Sequence, residues 1–198
     1  MSRIGIYSGS FDPVHKGHIA FALSALNDSR LDKIYFIVEP LPRHKPGITH
    51  MAHRIAMVRL ALRAHPKLEV LELPDKRFSV ANTLPRLQKK FRNDELYMLI
   101  GSDVLQTLAK WPLAEELLTH VGLIVGLRED VRLDQALSYA TAMPRPLREL
   151  YILESLEPTI ASKQIRHTFR EGHNSKSVLP SVSKYIKEHW LYAAVPEN

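Results

Sequence analysis

Short apolar runs alternate with amphipathic stretches along most of this chain. The runs are rich in Val, Ile, Leu and Tyr at consecutive positions, which is typical of strands covered on both faces. The stretches between them repeat apolar residues at helical spacing, so the alternation predicts a parallel, doubly wound α/β sheet. The predicted strands are 4–8, 34–38, 68–73, 96–100, 121–125 and 150–153, and the predicted helices are 17–26, 51–64, 80–91, 104–110 and 133–142.

The C-terminal tail predicts two further helices, 162–170 and 181–190, which the polar loop 171–177 separates. Trp190 and Tyr185 lie on the last of these helices, and we expect them in the core or in an interface. No internal repeat, low-complexity tract or linker interrupts the 198 residues. We therefore expect one domain over 1–198, whose C-terminal helical part covers about 160–192.

Composition narrows the class of protein. Apolar residues make up 45% and charged residues 24%, which suffices for a buried core and excludes a chiefly disordered chain. No segment reaches the roughly 18 consecutive apolar residues of a membrane helix, and the first residues lack a signal-peptide layout. We therefore expect a cytoplasmic protein with no membrane partner. Cysteine is absent, which excludes disulfides, a thiolate zinc site and a cysteine nucleophile.

The formal charge is 27 − 21 = +6, and the basic residues are spread over the whole chain. Pure basic runs such as Lys89-Lys90 are short and no arginine-rich tail occurs, so we expect no nucleic-acid partner. A solvated basic surface or a small anionic ligand accounts for the charge. The sequence leaves the oligomeric state open, a homo-oligomer included.

The strongest candidate for chemistry follows the first strand, where residues 9–18 are GSFDPVHKGH. Gly9 permits a sharp turn and a close approach to a ligand, and Pro13 stiffens the loop before a helix. His15 and His18 are three residues apart and share one face of the first helical turn, where amides and the helix dipole favour phosphate oxygens. A metal pair is the weaker alternative, because this stretch does not supply a full set of ligands.

A second candidate is the loop 39–50, whose three prolines and glycine exclude a helix or an inner strand. It carries Arg43, His44 and Lys45 in succession and follows a predicted strand. Ligands of open α/β sheets bind at the carboxyl ends of the strands. We therefore expect this basic loop at the ligand-binding edge.

The segment GSFDPVHKGH resembles the signature of the HxGH nucleotidylyltransferases, a family with a Rossmann-like sheet that joins a nucleoside triphosphate to a phosphorylated partner. Residues 160–166, Ile-Ala-Ser-Lys-Gln-Ile-Arg, resemble the family's second signature, Ile-Ser-Ser-Thr-x-Ile-Arg. The sequence departs from that signature at Ala161 and Lys163. Ser162 is expected to cap the following helix, and Arg166 is expected to donate to a phosphate.

The rest of the chain resembles the bacterial nicotinate mononucleotide adenylyltransferases, and the motifs occur in that family's order. Asn82 stands where an aspartate is usual, and 128–130 are Arg-Glu-Asp where Arg-Pro-Gly is common. Residues 42–45, Pro-Arg-His-Lys, resemble the family's Pro-x-His-Lys loop, and residues 78–84, Phe-Ser-Val-Ala-Asn-Thr-Leu, resemble its Ser-Tyr-Thr-x-Asp-Thr-Leu segment. Gly-Ser-Asp at 101–103, followed by Trp111, resembles the family's Gly-Ala-Asp with a tryptophan eight residues on, and the Leu-Pro to Leu-Tyr ending at 179–192 is also similar.

This resemblance implies transfer of the AMP moiety of ATP to nicotinate mononucleotide, with deamido-NAD and pyrophosphate as products. It implies Mg²⁺ held mainly by the ATP phosphates. It implies stacking of Trp111 on the pyridine ring, and contact of Asp103 with ribose hydroxyls or the hydrated metal. The expected catalytic residues are His15, His18, Lys45 and Arg166. The expected ATP-binding residues are Gly9, Ser10, Phe11, Gly17, Gly101, Asp103, Ser162 and Ile165, and the expected substrate-binding residues are His44, Thr83, Trp111 and Arg128.

Two alternatives stay open. One is adenylyl or cytidylyl transfer to another acceptor, nicotinamide mononucleotide or phosphopantetheine, although the enzymes acting on phosphopantetheine have a threonine where His15 stands. The other is a non-catalytic nucleotide-binding paralogue, which the departures at Ala161, Lys163 and Asn82 motivate. The intact HxGH signature weighs against this second alternative.

Overall fold

Six parallel strands form the centre of the molecule, and helices cover both faces of the sheet. The computed structural model describes residues 1–43, 47–128, 131–154 and 160–193. The strands are β1 Arg3–Gly9, β2 Lys33–Val38, β3 Leu68–Val70, β4 Glu95–Gly101, β5 Val121–Gly126 and β6 Leu150–Leu153. The helices are α1 Lys16–Asp28, α2 Met51–Leu62, α3 Thr83–Lys90, α4 Ser102–Leu108, α5 Ala114–His120, α6 Leu133–Thr141, α7 Ser162–Arg170 and α8 Pro180–Glu188.

The strand order is β3-β2-β1-β4-β5-β6, and every neighbouring pair is parallel. The chain runs outward from β1 to β3, returns to the centre at β4, and then runs outward to β6 in the other direction. Such a reversal opens a crevice at the carboxyl ends of the two central strands. The expected doubly wound α/β sheet of the Rossmann type, with C-terminal helices, is confirmed.

Both faces of the sheet are buried, which explains the continuous apolar runs. In β4, Leu96, Met98 and Ile100 belong to one core, while Tyr97 and Leu99 belong to the core on the opposite face. Successive strand residues point to opposite faces, so each face needs its own helical cover. Buried residues of α3, α4, α5 and α6 complete the first core, and those of α1, α2, α7 and α8 complete the second.

The C-terminal helices pack in the same core as the first half of the chain. Ile165 of α7 and Val182 of α8 are buried in one cluster with Val58 of α2. Trp190 lies beyond the end of α8 and is 82% exposed, so the expectation of core burial is wrong for this residue. Tyr185 is half-buried, and its hydroxyl lies 3.0 Å from Nδ1 of His53.

Several elements differ from their predicted bounds by one or two residues at an end, and the largest differences are at β3, α3 and α5. β3 ends at Val70 and not at 73, because it is an edge strand that pairs only with β2. α3 begins at Thr83 and not at 80, because a hydrogen-bonded turn from Ser79 precedes it. α5 was not predicted, because its seven residues leave little periodicity to detect. No helix in the described parts of the chain combines the length and apolar character needed to cross a membrane.

Candidate active site

Two stacked histidines mark the start of α1. The chain leaves β1 at Gly9, turns, and begins α1 directly after His15, which occupies the N-cap position. The rings of His15 and His18 lie 3.6 Å apart at their centroids. The backbone N–H of His15 donates to Nδ1 of His18 at 3.2 Å. Because an acceptor nitrogen carries no proton, a neutral His18 holds its proton on Nε2 and can donate it there.

His15 is held in the neutral form. It is only 7% exposed, and burial lowers its pKa to about 4, with the Arg128 guanidinium acting in the same direction. Its Nδ1 is buried and has no hydrogen-bond partner among the described residues. A neutral His15 ring stacks on His18 without the repulsion that two imidazolium ions would feel. The site therefore offers a neutral His15, stacked on His18, at the positive end of a helix.

An aromatic cluster holds the turn between β1 and α1 in an unusual conformation. Phe11 has a φ of 47°, which a residue other than glycine seldom adopts. Its buried ring packs against Tyr7, His18 and Phe36, with centroid distances of 5.1 to 5.3 Å. At Gly9 an added Cβ would lie 3.2 Å from the same ring. Ring packing therefore determines both the course of the turn and the place of His18.

The second signature meets the first in space. Ser162 Oγ donates to the carbonyl of Pro13 at 3.1 Å, and Arg166 Nη1 donates to the carbonyl of Asp12 at 2.7 Å. These two bonds join the start of α7 to the turn before His15. The expectation that Ser162 caps α7 is wrong, since Ala161 holds the N-cap position and the Ser162 hydroxyl is turned to Pro13.

Asp12 of the first signature is an anchor for distant segments. Its side chain is only 4% exposed. The Tyr192 hydroxyl donates to Oδ1 at 2.6 Å, and the backbone N–H of Thr49 donates to Oδ2 at 3.2 Å. Burial, followed by the Asp12 carboxylate, raises the pKa of Tyr192, so its hydroxyl keeps the proton that it donates. Asp12 thus joins the turn after β1 to the start of α2 and to the C-terminal segment.

A charged pair stands across the crevice at the ends of β4 and β5. Asp103 lies in the first turn of α4, and its Oδ1 is 3.1 Å from Nε of Arg128. The backbone N–H of Arg128 donates to Oγ of Ser102 at 3.1 Å. At Gly101 an added Cβ would collide with the Asp103 carboxylate and lie 3.3 Å from Arg128 Nε. A side chain at position 101 would therefore displace the exposed Asp103 carboxylate from its place beside Arg128.

Two of the expected substrate-binding residues, Trp111 and Thr83, differ in their exposure. Trp111 is half-buried. The centroid of its ring lies 6.4 Å from that of Phe78 and 5.7 Å from the guanidinium carbon of Arg43. Thr83 is only 1% exposed, and both of its polar groups are engaged. Its N–H donates to the carbonyl of Ser79 at 2.9 Å, and its Oγ1 accepts from the N–H of Ser79 at 3.0 Å. Thr83 therefore closes a turn instead of presenting its hydroxyl to solvent.

The remaining expected site residues differ in burial, and two of them are not described by the structure. Gly17 is half-buried within α1, and Ile165 lies in the core with 2% of its surface exposed. His44 and Lys45 lie outside the described residues. Sequence reasoning missed Arg54, which is fully buried on α2 and bonded to the turn after β1. The sequence did contain a signal for it. Arg54 lies three positions after Met51 on the apolar face of a predicted helix, where a charged residue indicates a buried and bonded group.

Comparisons with known proteins agree with this geometry. Residues 6–168 match the family model described as cytidylyltransferase-like. A nicotinate-nucleotide adenylyltransferase of Bacillus subtilis is 32% identical over 97% of this chain and 99% of its own length. The structure of Plasmodium falciparum nicotinic acid mononucleotide adenylyltransferase with NaAD has a TM-score of 0.79 and 21% identity, covering 97% of this chain and 98% of that one. The same Plasmodium enzyme with APC has a TM-score of 0.77 at 20% identity, with the same coverage. The two Plasmodium structures therefore share the fold of this chain.

Proposed function

The chain belongs to the cytidylyltransferase-like family, among the nicotinate-nucleotide adenylyltransferases, and we propose that it transfers the AMP moiety of ATP to nicotinate mononucleotide. The products are deamido-NAD and pyrophosphate. The observation that carries the proposal is the meeting of the two signatures. Ser162 and Arg166 are bonded to the carbonyls of Pro13 and Asp12, immediately before the histidine pair.

The reaction needs no nucleophile from the protein. An oxygen of the mononucleotide phosphate attacks the α-phosphorus of ATP, and the bond from that phosphorus to the bridging oxygen of the β-phosphate breaks. The electron pair of that bond leaves with pyrophosphate. Because the attacking phosphate is already ionised at neutral pH, catalysis consists of in-line alignment and stabilisation of the developing charge.

The start of α1 is suited to stabilise that charge. In the proposed role, His18 donates from Nε2 to a phosphate oxygen, because its Nδ1 already accepts from the backbone. His15 brings a buried nitrogen that a ligand can satisfy while the His15 ring stays neutral. The amides of Gly9, Ser10 and Phe11 and the dipole of α1 add further positive potential.

Arg166 is proposed to act on the pyrophosphate side. A guanidinium has five N–H donors, so the bond to the Asp12 carbonyl leaves capacity for a charge-assisted bond to phosphate. Ser162 and Ile165 hold α7 in place for this contact, through the Pro13 carbonyl and the core respectively. Lys45 is proposed to share the pyrophosphate charge, on the basis of its place in the Pro-x-His-Lys sequence.

Mg²⁺ is proposed to enter with ATP. Within the described ranges no group of three His, Asp or Glu side chains could enclose a metal ion. Asp103 is a carboxylate at the end of β4, and Arg128 already balances its charge. A single carboxylate fits a metal that is held mainly by phosphate oxygens and water, and Asp103 would contact the metal through one of those waters. When bound, Mg²⁺ neutralises triphosphate charge. Since ATP is the proposed substrate, we also propose the cytoplasm as the place of action.

The nicotinate nucleotide is proposed to bind on the side of Trp111. The exposed part of its indole can stack on the pyridine ring. Thr83 shapes this wall through the turn that it closes, and Arg128 supplies positive charge near the strand ends. His44 remains a proposed contact of the substrate phosphate.

The direct test is pyrophosphate release from ATP and Mg²⁺, with nicotinate mononucleotide, nicotinamide mononucleotide and phosphopantetheine offered separately and the products identified by mass. We expect release with the nicotinate nucleotide at a kcat/KM at least about tenfold above that of the amide. The matched control is His18→Asn, which keeps an acceptor near the position of Nδ1 and removes the Nε2 donor. A folded wild-type protein that binds ATP but releases no pyrophosphate would support the non-catalytic alternative. Preference for another acceptor would refute the proposed substrate.

A further inference from the structure

Arg54 is a buried cation that bonds only to backbone in the described structure. Its side chain is 0% exposed, although it lies on α2 within the apolar face that packs on the sheet. Each of its guanidinium nitrogens donates to a backbone carbonyl. The four bonds are Nε to Thr49 at 2.7 Å, Nη1 to Ser10 at 2.8 Å, Nη1 to Glu39 at 2.9 Å and Nη2 to Pro40 at 3.2 Å.

Packing alone does not account for a guanidinium in this place. Burial lowers the pKa of Arg54, and the nearby Asp12, Tyr192 and Glu39 oppose that effect. A buried cation is costly to desolvate, and apolar side chains of similar volume often stabilise a core as well or better. The four directed bonds are what an apolar side chain at this position would lack. These bonds indicate that Arg54 fixes the position of the backbone segments whose carbonyls it contacts.

One of these bonds fixes the orientation of a peptide group in the turn between β1 and α1, the proposed phosphate-binding turn. The carbonyl of Ser10 and the N–H of Phe11 belong to one planar peptide unit, and in a trans peptide the two point in opposite directions. With the carbonyl held by Arg54 Nη1, the Phe11 N–H is directed away from Arg54. Phe11 also has the uncommon φ of 47°, which persists only where the surroundings enforce it. The bond from Arg54 is part of that enforcement.

The other three bonds hold both ends of the loop that follows β2. The carbonyls of Glu39 and Pro40 lie where the loop begins, and that of Thr49 lies where it ends. One guanidinium therefore sets the distance between the ends of this loop and the turn after β1. A flexible ammonium cannot reproduce this arrangement, because it lacks the planar fork of donors.

We propose that Arg54 is a positioning residue for adenylyl transfer, which orients the Phe11 amide toward the triphosphate and holds Glu39, Pro40 and Thr49 at a fixed distance from the turn after β1. This inference rests on the proposed function. Arg54 does not contact the reacting atoms in this role, and it acts through the backbone groups that it bonds.

The test compares Arg54→Lys and Arg54→Met with the same two substitutions at Arg59. Arg59 lies on the same helix, is exposed, and bonds to Glu72. The measurements are kcat at a temperature where circular dichroism shows each variant fully folded, and the dissociation constant of inorganic tripolyphosphate by calorimetry. We expect folded Arg54→Lys to lose about tenfold to a hundredfold in kcat, because small displacements of catalytic groups have effects of that size. Tripolyphosphate should bind more weakly in parallel, while both Arg59 variants stay near wild type.

Each outcome decides the inference. A folded Arg54→Lys with kcat and tripolyphosphate affinity within about twofold of wild type overturns it, since that is less than any misplacement of a donor would cause. An Arg54→Lys chain that does not fold also overturns it, because Arg54 would then be a residue of folding alone. Wild-type protein without transfer activity refutes the proposed function instead, and tripolyphosphate binding then still tests whether Arg54 organises the turn.

Discussion

Replacing Tyr192 by phenylalanine removes one oxygen atom from a buried contact between the two ends of the chain. The hydroxyl of Tyr192 donates at 2.6 Å to Oδ1 of Asp12, a side chain that is only 4% exposed. Phenylalanine fills nearly the same volume, so the packing of the ring near Phe169 is retained. The substitution therefore isolates the contacts of the hydroxyl, of which the bond to the Asp12 carboxylate has the charged partner.

The expected magnitude follows from the charge of the acceptor. A hydrogen bond to an ionised group contributes about 1.5–3 kcal/mol, and a buried acceptor left without its donor retains the cost of its desolvation. Oδ2 of Asp12 keeps the N–H of Thr49 as a donor, so only one of the two oxygens is affected. We expect Tyr192→Phe to lower the free energy of unfolding by about 2 kcal/mol, or about 4–8 °C in Tm for a domain of this size.

Urea denaturation of wild type, Tyr192→Phe and Tyr139→Phe measures this difference. Tyr139 is a half-buried residue of α6, and its hydroxyl makes no hydrogen bond to the described part of the chain. Its variant reports the cost of removing a tyrosine hydroxyl without a charged partner. A change in midpoint at constant m would identify a change in stability and not in the compactness of the unfolded state.

The pH dependence provides a second check. Because burial and Asp12 raise the pKa of Tyr192 above its ordinary value, the hydroxyl keeps its proton. The difference between wild type and Tyr192→Phe should therefore stay constant between about pH 6 and pH 9. A destabilisation below about 0.5 kcal/mol, or one equal to that of Tyr139→Phe, would refute a charge-assisted bond between these residues.

Further predictions concern the site and the sheet. His18→Asn should reduce kcat by about a hundredfold to a thousandfold in steady-state assays, because it removes a transition-state donor; a rate near wild type would contradict that role. His15 has its pKa lowered to about 4 by burial. The stability that its neutral form allows is therefore present above the unfolded pKa near 6.5 and is lost as the pH falls toward 4, by about 3 kcal/mol. In His15→Gln, the free energy of unfolding should change less with pH between about 6.5 and 4 than in wild type. An equal pH dependence in both proteins would count against the lowered pKa of His15. Gly126→Ala should cost about 1–3 kcal/mol in urea denaturation, since its Cβ would lie 2.9 Å from the Phe21 ring. Trp111→Ala should raise KM for the nicotinate nucleotide by about fivefold or more, given the value of an aromatic stack, while KM for ATP stays within about twofold; equal effects on both substrates would argue against stacking.

Local pattern determined the sheet and the candidate residues. Apolar runs of strand length, separated by helical periodicity, were enough to predict a parallel doubly wound sheet, because burial on both faces leaves that pattern in each strand. The signature at residues 9–18 also placed His15 and His18 on one helical turn, since residues three apart on a helix are neighbours. The predicted adjacency is present in the stacked rings.

Prediction failed where a residue's partner lies far away in the sequence. Ser162 was expected to cap its own helix, but its hydroxyl bonds to Pro13, 149 residues earlier. Trp190 was expected in the core or in an interface, and it lies past the end of α8, outside the core of this chain. Neither outcome is encoded in the neighbouring residues, because both depend on where α7 and α8 pack against the rest of the molecule.

The sequence by itself therefore determined the class of fold and which residue types could hold a triphosphate, since periodicity and helix geometry act over a few residues. Tertiary structure decided how those residues are held. Tyr192 reaches Asp12 across 180 positions, and Arg54 reaches Ser10 across 44. Such contacts exist because the sheet brings distant loops together, and a buried charge is tolerated there because backbone carbonyls surround it.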